Sequence, residues 1–205
     1  MKAYSAACDK NKAPIAEVLT RYLKPTTAES ISPPVLLEIG SGTGQHAVYF
    51  SGLFPHIQWQ PTDQAHLLAD IESWCSEWPQ PNCLPPLTCD LNNAHWPLNE
   101  VDHIFTANTL HIVSWPLVLH FIKGVQTTLK LNGYLFVYGP FNYAGNYTSD
   151  SNAKFDLWLK QRDTKSGIRD FEAVNEQLTA NQSIVLVEDV TMPANNRLLV
   201  FQKKA

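Results

Sequence analysis

The chain has 205 residues, 44% of them hydrophobic and 17% charged, with a formal net charge of −4. That length and balance suit one globular α/β domain spanning 1–205 and exclude a disordered chain; no run approaches the ~18 consecutive apolar residues of a membrane helix. The one basic cluster, Lys203-Lys204, is too small for a nucleic-acid footprint, so neither a nucleic-acid nor a membrane partner is expected.

The residues after Lys2 form no apolar stretch, so the start does not read as a secretory signal and the cytoplasm is the expected setting. Cys8, Cys75, Cys83 and Cys89 make no Cys-x-x-Cys pair, and ordinary reduced thiols are expected. Pro14 suits the first turn of a helix continued by Ile15, Val18, Leu19 and Tyr22, while no helical or strand period precedes it. Residues 1–34 thus read as an N-terminal segment and helix covering the site. A polar, proline-bearing stretch from Lys24 to Pro34 ends that pattern. Val35 to Ile39 then runs as an apolar strand into Gly40-Ser41-Gly42-Thr43-Gly44, with a helix expected behind it.

Ile57 and Trp59 mark a second strand, and Leu67, Ile71, Trp74 and Trp78 recur at helical spacing. A third strand near Leu84 to Cys89 is crowded by Pro79, Pro81, Pro85 and Pro86, which suggests an edge position. A fourth strand, His103 to Ala107, leads to a helix through Leu117, Phe121, Val125 and Leu129, closed by Asn132-Gly133. Tyr134 to Tyr138 is a fifth strand, followed by a polar loop from Gly139 to Ser149. Helices are expected near Ser151 to Lys160 and Asp170 to Ala180, Asp170 capping the second. Ile184 to Met192 and Arg197 to Gln202 flank Pro193-Ala194-Asn195-Asn196 as an antiparallel hairpin. Alternating strands and helices imply a doubly wound, Rossmann-like, mostly parallel sheet.

Chemistry concentrates where the first strand meets its helix. Glycines there let the chain turn sharply and let a ligand approach main-chain N–H groups. The dinucleotide pattern Gly-x-Gly-x-x-Gly would need glycine at position 45, where Gln45 stands. The string Glu38-Ile39-Gly40-Ser41-Gly42-Thr43-Gly44 instead resembles motif I of the class I S-adenosylmethionine-dependent methyltransferases. The resemblance implies that Glu38, Gly40, Ser41, Gly42 and Gly44 bind S-adenosylmethionine, with S-adenosylhomocysteine as product. It places Asp63 on the ribose hydroxyls, since a carboxylate accepts from both members of a diol. Pro61 and Thr62 leave Gln60 as the alternative. Asp90, with Leu91, falls where the family holds adenine, or else forms an Asx turn. Asn108-Thr109-Leu110-His111-Ile112 resembles motif IV, facing the methionine end; His111 either faces substrate or is structural.

Nearly the whole chain is similar to a small methyltransferase-like family of unknown function. The carrying residues include Asp9 to Ile15, Trp59 to Asp63, Asn108 to Trp115, Gly139-Pro140-Phe141, Thr148 to Asn152 through Phe155-Asp156, Gly167 to Asp170 and Met192 to Asn196. That resemblance implies a seven-stranded sheet whose last strand is antiparallel, and no known acceptor. Lys10 departs from it where arginine is expected, losing a planar fork.

Methyl transfer from a sulfonium depends chiefly on positioning. A base is needed only for a protonated nucleophile, and His111, Tyr143 and Asp9 are the candidates. Asn11, in the same N-terminal stretch, is a cofactor-side candidate. The stretch is either an untethered tail or a cover that forms the acceptor pocket with the loop after the fifth strand. The remaining histidines form no metal-binding spacing, so no metal is expected. A small-molecule methyltransferase is the leading reading; a non-catalytic cofactor-binding protein and a nicotinamide-dependent oxidoreductase are the rivals.

Overall fold

The structure, a computed structural model, describes residues 3–25, 32–93 and 95–204. The middle of the proline-bearing stretch expected between Lys24 and Pro34 lies outside the described residues.

Among the described residues the first element is helix α1, Ala6–Tyr22, so residues 6–13, expected without helical period, are helical. Ser5 is its N-cap, its side chain accepting from the Cys8 N–H, and Pro14 sits inside the helix. The expectation of a helix starting at Pro14 is therefore corrected. A proline in a helix interior removes one backbone hydrogen bond, and burial of Asn11, Ile15, Val18 and Leu19 along one face offsets that loss.

Strand β1, Val35–Ile39, is followed by α2, Gln45–Leu53, and β2, Gln58–Asp63. A short 3-10 turn leads into α3, Leu68–Glu77, and then β3, Leu87–Thr88. Next come β4, Val101–Ala107, α4, Trp115–Thr128, and β5, Leu129–Gly139. The sheet order is completed by β8, Ile184–Met192, and β9, Asn196–Lys203. Between them lie β6, Phe141–Asn142, α5, Asp150–Arg162, β7, Arg169–Asp170, and α6, Phe171–Thr179.

Seven strands form one sheet in the order β3-β2-β1-β4-β5-β9-β8. The first five strands pair in parallel, while β9 runs antiparallel to both β5 and β8. The expected doubly wound sheet and C-terminal hairpin are present, and β3 holds the expected edge. The chain reverses direction across the sheet between β1 and β4, and open α/β sheets bind ligands outside the strand ends at such a point.

Two further features differ from the sequence expectation. α4 is not closed at Asn132-Gly133; it ends at Thr128 and the chain enters β5 directly. Asn132 does take a left-handed φ of 65°, but within β5, where the register against β4 shifts and a Cβ on Gly133 would clash with the Asp102 carbonyl oxygen. The polar loop after β5 also contains a strand, β6, which pairs in parallel with β7. Two residues with long-range partners carry too little period to read.

Side chains alternate across the sheet. Leu36, Phe105, Phe136 and Val200 face α1 and α2 in one core, while Leu37, Ile104, Leu135 and Phe201 face α4 and α6 in the other. Among the described residues no helix is long and apolar enough to cross a membrane.

Candidate functional site

The site begins at the carboxyl end of β1. Gly42 and Gly44 take φ values of 56° and 85°, a region costly for side-chain-bearing residues. A Cβ on Gly44 would stand 2.9 Å from the Ile71 Cα, so α3 packs directly against the turn. A Cβ on Gly42 would meet nothing within 4 Å. One glycine is thus required by packing, and the other borders open space.

The turn is fastened to β2. Gly40 and Ser41 N–H groups donate to the Thr62 carbonyl at 3.1 and 2.9 Å, and Thr62 N–H donates back to Ser41 Oγ at 3.1 Å. Asp63, the last residue of β2, accepts from Gly42 N–H through Oδ2 and from Gln64 N–H through Oδ1, both at 2.7 Å. An ionised carboxylate has about four acceptor positions, so two further donors can be taken. Gln60 lies elsewhere: it is buried, and its amide donates to the carbonyls of Pro61 and Pro85 at 3.1 and 2.7 Å.

Glu38 lies beneath the turn, 1% exposed, accepting from Trp59 Nε1 at 2.7 Å. Burial pushes its carboxyl up to about 8, against the opposing Trp59 hydrogen bond. Burial thus favours its protonated form. Beyond β3, Asp90 Oδ1 accepts from both nitrogens of Asn92 at 2.9 Å, an Asx turn. Leu91 is buried in the core, and its carbonyl contacts His120 Nδ1 at 2.9 Å.

At the end of β4, Asn108 adopts a left-handed φ of 58° and donates its N–H to the Tyr138 carbonyl at 2.9 Å. Thr109 Oγ1 lies 2.9 Å from Thr106 Oγ1 and stands so close to Gly40 that a Cβ there would be 2.6 Å away. The motif IV segment and the glycine turn are thus packed together. His111 is 4% exposed, edge-on to Phe155, with Nδ1 beside Gly139 at the end of β5. Burial, aided by the charge of Arg169, lowers its imidazole to about 4, so the ring is neutral at pH 7.

Residues 3–5 are fastened to α2 and α3. Ser5 N–H donates to Gln45 Oε1 at 2.6 Å, and Trp74 Nε1 donates to the Ala3 carbonyl at 2.8 Å. Asn11 is buried, its Oδ1 2.7 Å from His46 Nε2, and it also hydrogen-bonds Tyr138. Asp9 is on the outer face: exposed, paired with Lys12, and held below the ordinary carboxylate value by that partner. Tyr143 lies farther off. Its hydroxyl donates to Asp189 of β8 at 2.6 Å, its ring stacks on Phe171, and burial with the Asp189 bond raises its value. Four strand spacings of about 4.8 Å separate β8 from β1, so the structure does not bring Tyr143 together with the glycine turn.

Sequence reading assigned no role to Gln45 beyond its clash with the dinucleotide pattern, nor any to Ser5 or Trp74. It quoted Asp156 and Arg169 without a role. Asp156, 1% exposed, accepts from Tyr147 at 2.7 Å and from Lys160 and Ile168 N–H at 2.6 Å. Arg169 donates to the carbonyls of Leu110, Val113 and Lys165. Together they tie α5 and β7 to the loop carrying His111. The string Gly167-Ile168-Arg169-Asp170 was the available signal, but its partners are main-chain atoms that no sequence pattern marks.

Solved structures share this architecture. An O-methyltransferase family 2 protein from Planctomyces limnophilus, in complex with apigenin, matches with a TM-score of 0.79 at 18% identity, over 94% of this chain and 56% of its own. An O-methyltransferase family protein from Burkholderia thailandensis gives 0.78 at 12% identity, over 95% and 56%. Human N-acetylserotonin methyltransferase in complex with S-adenosylmethionine gives 0.70 at 16%, over 95% and 55%. The chain spans little more than half the length of these structures, and the likeness is one of fold, that of class I S-adenosylmethionine-dependent methyltransferases. Over residues 2–203 the sequence matches the family described as "Protein of unknown function (DUF938)", and the chain belongs to that family.

Proposed function

We propose that this chain is a cytoplasmic enzyme that binds S-adenosylmethionine across the carboxyl ends of β1, β2 and β4 and directs its methyl group to a small-molecule acceptor. The observation that carries the reading is the pairing of the open Gly42 turn with Asp63. A carboxylate at a strand end, with acceptor capacity left over, holds a main-chain turn that has open space where a Gly42 side chain would stand. These residues fit the cofactor: Asp63 would take the ribose hydroxyls, and the Gly40 to Gly44 turn would lie along the amino-acid portion. Asp90 and Leu91 would border the base. When bound, the cofactor supplies a methyl group already activated on a sulfonium.

The protein's part is to hold and enclose. Asn108 and Thr109 shape the wall between the glycine turn and β5, and α1 excludes water from above, fastened by Gln45 and Trp74. Of the three candidate bases, His111 suits the acceptor side by position, two residues beyond Thr109, which packs on the glycine turn; burial leaves its imidazole neutral but a weak base, so its part is to orient the acceptor and take a proton only as the methyl group is transferred. Asp9 is exposed and paired with Lys12, and Tyr143 donates to Asp189; both are assigned structural parts. Gln45 weighs against a nicotinamide dinucleotide: its buried side chain accepts from Ser5 and Thr43 where that turn requires glycine. The net charge of −4 weighs against a nucleic-acid acceptor.

The test incubates the full chain with methyl-labelled cofactor and a fractionated metabolite extract. Label appearing in a small molecule with equimolar S-adenosylhomocysteine supports the proposal. Tight binding without product in any fraction would favour the non-catalytic cofactor-binding reading. His111→Asn should leave S-adenosylhomocysteine binding within a few fold of wild type and reduce turnover by roughly 100-fold or more, the range for a positioned acid–base group. Wild-type turnover should hold as pH falls through 6.5 and decline only toward the His111 value of about 4. A midpoint near 6.5 would remove His111 from the role.

A further inference from the structure

We propose that Cys75 and Cys83 form a redox-modification site, a thiol pair that an oxidant of the peroxide class closes into an intramolecular disulfide and a thiol reductant reopens. The sequence offers no Cys-x-x-Cys pair, yet the fold brings Cys75 Sγ to 3.5 Å from Cys83 Sγ. Both thiols are half-buried and free. A disulfide bond is about 2.05 Å long, so the sulfurs need to approach by roughly 1.5 Å.

The two partners differ in how they are held. Cys83 lies in a firmly anchored segment. Asn82 donates to the carbonyls of Ser51, Phe54 and Ile57, and Trp59 pairs with this segment through Asn82 and Leu84 at 2.8 and 2.9 Å. Cys75 stands on α3, the helix that backs Gly44 through Ile71 and holds Ala3 through Trp74. The bond would therefore pin α3, at the rear of the glycine turn, to the segment before β3.

Their chemistry is also unequal. The contact between the two sulfurs, in which either can donate, holds Cys75 below an ordinary thiol against the effect of burial, while the same contact and burial raise Cys83. The thiolate is the reactive form. Cys75 sulfur attacks a peroxide oxygen, the O–O bond breaks, and a sulfenic acid forms as water leaves. Cys83 sulfur then attacks Cys75 sulfur, the S–OH bond breaks, and the hydroxyl departs with the Cys83 proton as a second water. Two thiols lose two electrons and two protons, and one hydrogen peroxide becomes two waters. Cys8 and Cys89 lack such a partner: burial raises Cys8, and Cys89 is pushed up to about 12.

The experiment treats the reduced full chain with hydrogen peroxide, alkylates the remaining thiols with iodoacetamide and maps the products by mass spectrometry without reductant. Cleavage after Glu72, Glu77 and Glu100 separates Cys75 from Cys83. The expected product is the 73–77 peptide linked to the 78–100 peptide through Cys83, lighter by two hydrogens, with Cys8 and Cys89 alkylated and full reversal by dithiothreitol. C83S should give no such link and instead accumulate a dimedone-trapped sulfenic acid at Cys75. Wild-type protein in which Cys75 and Cys83 remain as alkylatable as before, or reach sulfinic acid unlinked, would overturn the proposal. This readout does not depend on cofactor binding, so it stands or falls separately from the methyl-transfer reading.

Discussion

Two glycines of one turn make opposite demands. Gly44 is held by packing, and Gly44→Ala combines a left-handed φ of 85° with a contact of 2.9 Å to the Ile71 backbone. Its melting temperature should fall more than that of Gly42→Leu, which carries the backbone penalty of about 1–2 kcal/mol without a clash inside the protein. Gly42→Leu should instead lose cofactor binding while remaining folded; retained binding would place the ligand elsewhere. Motif I was legible because its glycines fall at fixed offsets behind an apolar strand. The choice between Asp63 and Gln60 was not, since both lie within four residues of one strand end. The proposed assignment to Asp63 rests on a contact across the fold: Gln60 bonds to Pro85, while Asp63 bonds to the Gly42 N–H.

Among the elements, α1 departs furthest from its sequence. Pro14 marks a helix start by local rule, so the residues before it read as irregular. Tertiary burial overrides that rule, and the polar Asn11 proves to be an interior residue. Asn11→Ala leaves the buried His46 ring short of a partner, which should lower stability by about 1–3 kcal/mol. Denaturant unfolding with an unchanged midpoint would show that the pair contributes nothing. Deleting residues through Asn11 removes the first six of the 17 residues of α1 with its Ser5 cap, so that truncation should lower both the melting temperature and cofactor affinity. Binding lost at an unchanged melting temperature would point to the tail-like cover first expected. The C-terminal hairpin was readable because its strands are long and its turn is rich in proline and asparagine; β6 and β7 were not, at two residues each.

For the whole molecule, buried titratable groups set a pH profile of defined sign. His46, His103 and His111 are lowered by burial to about 4 from 6.5. The unfolded chain therefore binds more protons between those values, and stability rises with pH across that window. Glu38 works oppositely, raised from 4.5 to about 8: its contribution is full below pH 4.5 and is lost as pH rises through 8. Three groups outweigh one below pH 6.5 and Glu38 acts without them above it, so thermal stability should peak near pH 6.5 and decline toward 8. A melting temperature rising steadily from pH 6.5 to 8 would show that Glu38 is ionised in the folded protein. The cofactor edge carries the proposed function, and calorimetric titration of the full chain with S-adenosylhomocysteine tests it most directly. The account predicts binding at one site, reproduced by S-adenosylmethionine, not by NADH, and weakened roughly 10- to 100-fold in Asp63→Ala, the loss of hydrogen bonds to a charged group. Wild-type protein indifferent to both forms of the cofactor would contradict it.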